Sequence, residues 1–203
     1  MRKGKLIAFI GMDGAGKSTL TNKLEILLKK KNLKVQTIYC GRGRNNILPI
    51  VSLGKIYRNM GGQPSNAPKY KNKYKNFEKI SLIQTISAPI FAFDLFLRYY
   101  FNILPKLKKY DIIIADRYST DILLMNKVPF WLKKILFKIL PKANKIFYIF
   151  NDIKILHKRK PSHNKIDLIR QERIFKKILK EIKVKRIKND NLDKSLKQII
   201  KWI

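Results

Sequence analysis

Acidic residues are scarce in this chain. Thirteen Asp and Glu stand against 46 Lys and Arg over 203 residues, a formal charge of +33. Such a surface repels cationic partners and favours anionic ones. Cysteine is rarer still: Cys40 alone excludes an internal disulfide and any multi-cysteine metal site, and a place at the end of a buried strand suits it. The two histidines, His157 and His163, lie among lysines and read as solvated rather than metal-bound. No stretch reaches the roughly 18 uninterrupted apolar residues of a spanning helix. Met1-Arg-Lys-Gly-Lys5 runs straight into an apolar segment, which leaves no room for a signal peptide, so the expected compartment is the cytoplasm.

What is present is enough for a sizeable core. At 45% hydrophobic residues, the chain reads as one domain over residues 1–203, with no internal repeat. Three readings of the charge stay open. Lysine could simply replace other solvated residues, it could serve phosphorylated ligands, or it could hold the protein weakly on nucleic acid or an anionic membrane. The basic residues are dispersed, without a long low-complexity tail, so charge alone does not mark a nucleic-acid binder.

Apolar runs alternate with helical patterns, which predicts an α/β fold with a parallel sheet covered on both faces. Strands are expected at Leu6–Ile10, Lys34–Cys40, Tyr110–Asp116, Lys145–Phe150 and, weakly, Val184–Ile187. A long connection, 41–75, is rich in Gly, Asn, Pro and basic residues. Connections of that length are often binding loops or lids. Phe77–Tyr100 reads as helix, bent or divided at Pro89; Ser119–Leu140 as mostly helical with a break near Pro129. Further helices are expected over Asp152–Arg159, Ile166–Lys183 and Leu192–Trp202.

The most informative stretch is Gly11-Met-Asp-Gly-Ala-Gly-Lys-Ser18, which fits G-x-x-x-x-G-K-[ST] at every fixed position. Its glycines let successive N–H groups turn onto phosphate oxygens, and the positive end of the following helix adds to the attraction. Gly11, Asp13, Gly14, Ala15, Gly16, Lys17, Ser18 and Thr19 are therefore the expected ATP-binding residues. Lys17 would reach the β- and γ-phosphates, and the Ser18 hydroxyl would ligate Mg²⁺. A second motif, Asp116-Arg-Tyr118, follows the apolar run Ile112–Ala115. A carboxylate there sits where open α/β sheets place ligands, so Asp116 is expected to serve the metal with Ser18, through a Mg²⁺-bound water, or to orient the attacking phosphate, and Arg117 to stabilise the transferring phosphoryl group.

Together these motifs resemble the thymidylate kinase family of nucleoside monophosphate kinases. Phe9-Ile-Gly-Met-Asp-Gly-Ala-Gly-Lys-Ser-Thr19 is similar to the family's phosphate loop, its acidic residue included, and Asp116-Arg-Tyr118 to its Asp-Arg-Tyr/His signature. The resemblance implies the three-layer P-loop NTPase fold, a five-stranded parallel sheet with helices on both faces. It implies Mg²⁺-dependent transfer from ATP to a phosphorylated small-molecule acceptor, thymidylate first. A homodimer is a further partner expectation. Asp13 would correspond to the carboxylate that meets the acceptor's sugar hydroxyl, and Tyr118 to a residue on the acceptor side.

The acceptor region, about 41–100, departs from the family. Where thymidylate kinases carry Arg-Glu-Pro-Gly-Gly, this chain reads Cys40-Gly-Arg-Gly-Arg44, leaving Arg42 or Arg44 to meet a phosphate. Ala92-Phe-Asp-Leu95 keeps an aspartate, Asp94, without the usual following arginine, and Arg98 one turn later is its expected substitute. The lid, about 158–165, reads Lys-Arg-Lys-Pro-Ser-His-Asn-Lys. Arg159, where a helix enters it, is the expected catalytic cation. Of the aromatics Phe91, Phe93, Phe96, Tyr99, Tyr100 and Phe101, at least half are expected in the core. Phe130–Leu140 is amphipathic and reads as a core helix ahead of a membrane-surface one.

Two alternatives from other classes remain open: a kinase of the same fold acting on a sugar or glycolipid intermediate, and a nucleotide-binding protein without transfer activity, associated with membrane or nucleic acid.

Overall fold

The computed structural model describes residues 4–41, 46–49 and 81–203. Five strands form one parallel sheet: β1 (Lys5–Gly11), β2 (Val35–Tyr39), β3 (Ile112–Asp116), β4 (Lys145–Phe150) and β5 (Lys185–Lys188), in the order β2-β3-β1-β4-β5. The central strands are apolar on both sides because both sides are covered. Ile7 and Phe9 of β1 face one core, and Leu6 and Ala8 face the other.

Seven α-helices are described: α1 (Lys17–Lys29), α2 (Leu82–Arg98), α3 (Thr120–Leu123), α4 (Phe130–Ile139), α5 (Ile153–Arg159), α6 (Lys165–Ile178) and α7 (Leu192–Ile200). In α1 the buried positions Leu20, Leu24 and Leu28 recur at helical spacing and join Leu168 and Phe175 of α6 and Leu196 and Ile199 of α7 in the larger core. On the other face, Ile103 and Leu107, beyond α2, pack with Ala8, Ala115 and Cys40. Cys40 is buried there, and burial pushes its thiol up to about 12.

The chain leaves β1 for β2 on one side and later crosses from β3 to β4 on the other. The strand order therefore reverses at β1, and a crevice opens at the carboxyl ends of β1, β3 and β4. Register fixes what lines it: Asp116 pairs with Phe9 on β1 and with Tyr39 on β2.

Three local expectations are corrected. α2 runs through Pro89 unbroken, since Ala88, Phe91, Ala92 and Leu95 anchor one face of it. The distortion comes later, as a π-helical turn over Tyr99–Ile103. Phe91 is buried, but Phe93, Phe96, Tyr100 and Phe101 are exposed among the described residues, because the anchored face is only one side of the helix. In α4 the pattern is partly inverted. Leu136 is buried against α2 and α3, Lys133 is buried with its Nζ donating to the Met125 carbonyl, and Trp131, Ile135 and Ile139 form an exposed stripe.

Asp94 and Arg98 of α2 form a buried ion pair at 2.5 Å. Asp94 Oδ1 accepts the N–H groups of Ile47 and Leu48, both at 2.8 Å, while Arg98 donates to the Gly41 carbonyl and to Asn46 Oδ1. The pair thus ties both sides of the connection after β2 to one helix. Removing one partner strands a buried charge, so Asp94→Leu is expected to cost about 3–5 kcal/mol in urea unfolding. Asp94→Leu with Arg98→Met should recover part of that. Unchanged stability in the single variant would mean that the pair holds nothing.

Candidate functional site

The Gly11–Thr19 loop joins β1 to α1 at the sheet crevice. Two of its glycines are required by space as well as by backbone. Gly11 has φ +147°, and a Cβ there would run into the Ile149 carbonyl of β4. Gly16 has φ +84°, and a Cβ there would strike the Asn189 side chain. Lys17 opens α1, is 6% exposed, and donates from Nζ to the Gly11 carbonyl at 2.9 Å and the Met12 carbonyl at 2.8 Å. Burial lowers its ammonium to about 8, and the Arg117 guanidinium adds to the effect against the opposing pull of Asp13, Asp116 and Asp121.

Ser18 and Asp116, 98 positions apart, meet here. Ser18 Oγ donates to Asp116 Oδ2 at 2.5 Å. The other oxygen, Asp116 Oδ1, is buried with no hydrogen-bond partner among the described residues. An uncompensated carboxylate oxygen beside a serine hydroxyl is a donor set that fits a hard cation. No group of three or more His, Cys, Asp or Glu suited to a metal occurs among the described residues.

Arg117 adopts φ +64°, a conformation that costs a non-glycine residue about 1–2 kcal/mol. Its N–H bonds the Phe9 carbonyl at 3.0 Å, and its guanidinium lies between two carboxylates: ion-paired to Asp13 and 3.4 Å from Asp121. Burial alone would lower the Arg117 pKa, but Asp121 and Asp13 raise it above the ordinary value. For Asp13 burial pulls upward, yet Arg117 and Lys17 outweigh it and hold the carboxyl well below the usual range. Gly41 completes the packing, since a Cβ there would collide with the Tyr39 ring and the Arg117 side chain.

The segment after α5 closes over the same carboxylate. Gln171 donates to Asp13 Oδ2 at 3.0 Å and accepts the Asp13 N–H at 3.1 Å, and His163 Nδ1 lies 3.7 Å away. His163 is thus part of the site rather than merely solvated, and its carbonyl meets His157 Nδ1 at 3.0 Å. Asn164 caps α6 by accepting the Ile166 N–H.

Gly11, Asp13, Gly14, Ala15, Gly16, Lys17, Ser18, Thr19, Asp116 and Arg117 therefore gather at one crevice. Arg159 stands at its flank, donating to the Asn189 carbonyl at 3.1 Å, while Asn189 Nδ2 bonds the Ala15 carbonyl at 2.8 Å. Three expected acceptor residues are placed differently. Tyr118 is buried and donates its hydroxyl to the Pro141 carbonyl at 2.9 Å, and burial raises its pKa. Asp94 and Arg98 are bonded to each other, to the 46–48 segment and to the Gly41 carbonyl. Arg42 and Arg44 lie outside the described residues. Sequence reasoning missed Asn189, Gln171 and Asp121. Nothing in Lys188-Asn-Asp-Asn191 distinguishes a turn from the wall of a phosphate loop.

No family model matches this chain, and no curated protein matches it. Solved structures do. The thymidylate kinase of Candida albicans superimposes with TM-score 0.67 at 19% identity, covering 99% of this chain and 91% of that one. The thymidylate kinase of Ehrlichia chaffeensis gives 0.61 at 18% identity, covering 98% of each. The chain has the α/β P-loop fold of these kinases.

Lys17 supplies a pH test. Phosphates bound beside it would restore its charge, so ATP binding between pH 8 and 9 is expected to take up a proton, and affinity to fall as the pH rises through about 8. Calorimetry in two buffers of different ionisation enthalpy reads the uptake. Its persistence in Lys17→Met would place the titrating group elsewhere.

Proposed function

We propose that this chain is an ATP- and Mg²⁺-dependent kinase that transfers the γ-phosphoryl group to a nucleoside monophosphate, with thymidylate the leading acceptor (dTMP + ATP to dTDP + ADP). The observation that carries the reading is the 2.5 Å contact of Ser18 Oγ with Asp116, with Asp116 Oδ1 left uncompensated, beside buried Lys17.

Mg²⁺ bound with ATP would neutralise charge on the β- and γ-phosphates. Ser18 and Asp116 are the residues that would hold it. The backbone of Gly11–Ser18 would cradle the phosphates, and Lys17 would exchange its carbonyl partners for phosphate oxygens. Arg117, steered by Asp13 and Asp121, would face the transferring group, and Arg159 would contribute from the lid side. ATP, Mg²⁺ and a phosphorylated acceptor are the partners this requires.

Basicity supports a phosphate acceptor over a hydroxyl. A phosphate monoester is largely ionised at neutral pH, so its oxygen can attack phosphorus without a general base. A hydroxyl must lose a proton, and the carboxylates here are poorly suited to take it. Asp13 is held far below the usual range by its cations, and Asp116 already accepts from Ser18. Asp13 remains the proposed contact to the acceptor's sugar, and Arg42 or Arg44 the clamp on its phosphate.

A second reading, a kinase of a phosphorylated sugar or glycolipid intermediate, is favoured by one observation. Asp94, Arg98 and Tyr118 are buried and bonded within the protein, so the family's usual acceptor contacts have no exposed counterpart there. The Candida albicans enzyme is itself described as having broad substrate specificity. The third reading, a nucleotide binder without activity, would use the Ser18–Asp116 pair equally but leaves the Arg117 guanidinium, held by Asp13 and Asp121, without a role. No described helix is long and apolar enough to cross a membrane. Cytoplasmic residence, a single kinase domain over 1–203, a homodimer and weak charge-driven contact with nucleic acid or anionic membrane complete the proposal.

ADP formation from Mg·ATP across nucleoside monophosphates and phosphosugars tests the acceptor. Lys17→Ala and Asp116→Asn are each expected to lower turnover at least about a hundredfold. Full activity in both would remove the mechanism, and activity confined to phosphosugars would promote the second reading.

A further inference from the structure

A cavity of about 890 Å³ lies away from the phosphate loop, between α4, the end of α6 and the amino ends of β4 and β5. Its volume falls in the range of about 300–1,000 Å³ typical of small-molecule sites. Phe137, Leu140, Ile146, Phe147, Ile178 and Ile182 give it apolar walls.

The rim has the opposite character. Lys134, Lys138, Lys142, Lys145, Lys183 and Lys185 stand around it with one acidic residue, Glu181, which pairs with Lys134 at 2.7 Å. Lys138, Lys142 and Lys183 are exposed. Trp202 closes one side, with Lys185 Nζ above its ring at 3.1 Å from the centroid. These charges border a concave apolar surface and do not lie on a flat face.

Apolar walls with a cationic mouth fit one kind of ligand. We propose that the cavity binds a single-chain anionic amphiphile, its hydrocarbon tail inside and its phosphate or carboxylate head among the rim lysines. The tail gains free energy in proportion to the apolar area removed from water, and the head meets the exposed ammonium groups of Lys138, Lys142 and Lys183. A nucleic acid would use the rim but not the chamber, and a neutral lipid the chamber but not the rim.

The cavity also touches the kinase-like site. Ser119 and Leu123 line it, and Asp121 between them holds Arg117. Pro141, another lining residue, accepts the Tyr118 hydroxyl. A ligand here would thus bear on the turn that follows Asp116-Arg-Tyr118.

Trp131 and Trp202 are the chain's two tryptophans, and only Trp202 lines the cavity. In a Trp131→Phe background, dodecyl phosphate titrated below its micelle concentration is expected to change Trp202 emission saturably, at one molecule per chain. Inorganic phosphate and dodecyl maltoside should bind at least tenfold more weakly. Ala143→Phe, which narrows the chamber, and the pair Lys138→Glu and Lys142→Glu, which reverses the rim, should each weaken dodecyl phosphate at least tenfold by calorimetry while ATP still binds. Unsaturable uptake of many molecules per chain, equal affinity for the head alone or the neutral-headed tail, or unchanged affinity in both variants would overturn the assignment.

Discussion

The hydrogen bond from Ser18 to Asp116 is the contact on which the site depends. It joins the first turn of α1 to the end of β3 and requires β3 to lie beside β1, in the register that sets Asp116 level with Phe9. Any other neighbour for β1, or a slip of one residue, would turn the carboxylate to another face. The strand order and the apolar cores on both sides of β1 hold that register. Under the proposed function the phosphate loop would grip the triphosphate, and Asp116 would add an anionic ligand for the cation.

Charge scarcity gives the same region a second meaning. With 13 side-chain carboxylates in the chain, Asp13, Asp116 and Asp121 act on Lys17, and Asp13 and Asp121 flank Arg117. Without them a buried ammonium and a nearby guanidinium would repel each other in a poorly solvated pocket. The paired carboxylates keep both cations charged and aimed at the crevice. Asp94 works likewise one layer deeper, making Arg98 a tether for the segments that flank Gly41 and Asn46. The same scarcity leaves the lining of the cavity beside α4 with one carboxylate, Glu181, among six lysines.

Much of this was legible in the sequence where local chemistry decides. Gly11, Gly14 and Gly16 at fixed spacing, followed by Lys17-Ser18, specify a loop whose geometry is set by its own backbone. The run Ile112–Ala115 before Asp116 likewise announces a strand end. Asn189, Gln171 and His163 were not legible, because their roles come from elements that return to the loop after more than 140 residues. The burial of Asp94 and Arg98 was not legible either, since an i, i+4 pair looks the same on a helix whether it faces a ligand or a buried segment. In α4, periodicity located the apolar residues, but only packing against Met125 and Val128 decided that Lys133 is buried and Trp131 exposed.

The central claim is that Ser18 and Asp116 form one half of a cation site completed by nucleotide. Its most direct test is the affinity for ATP with and without Mg²⁺, measured by calorimetry in the wild-type chain, Ser18→Ala and Asp116→Asn. Mg²⁺ is expected to tighten ATP binding at least about tenfold in the wild type, roughly 1.4 kcal/mol, and to do little in either variant. Tightening that survives in both variants, or that is absent from the wild type, would contradict it.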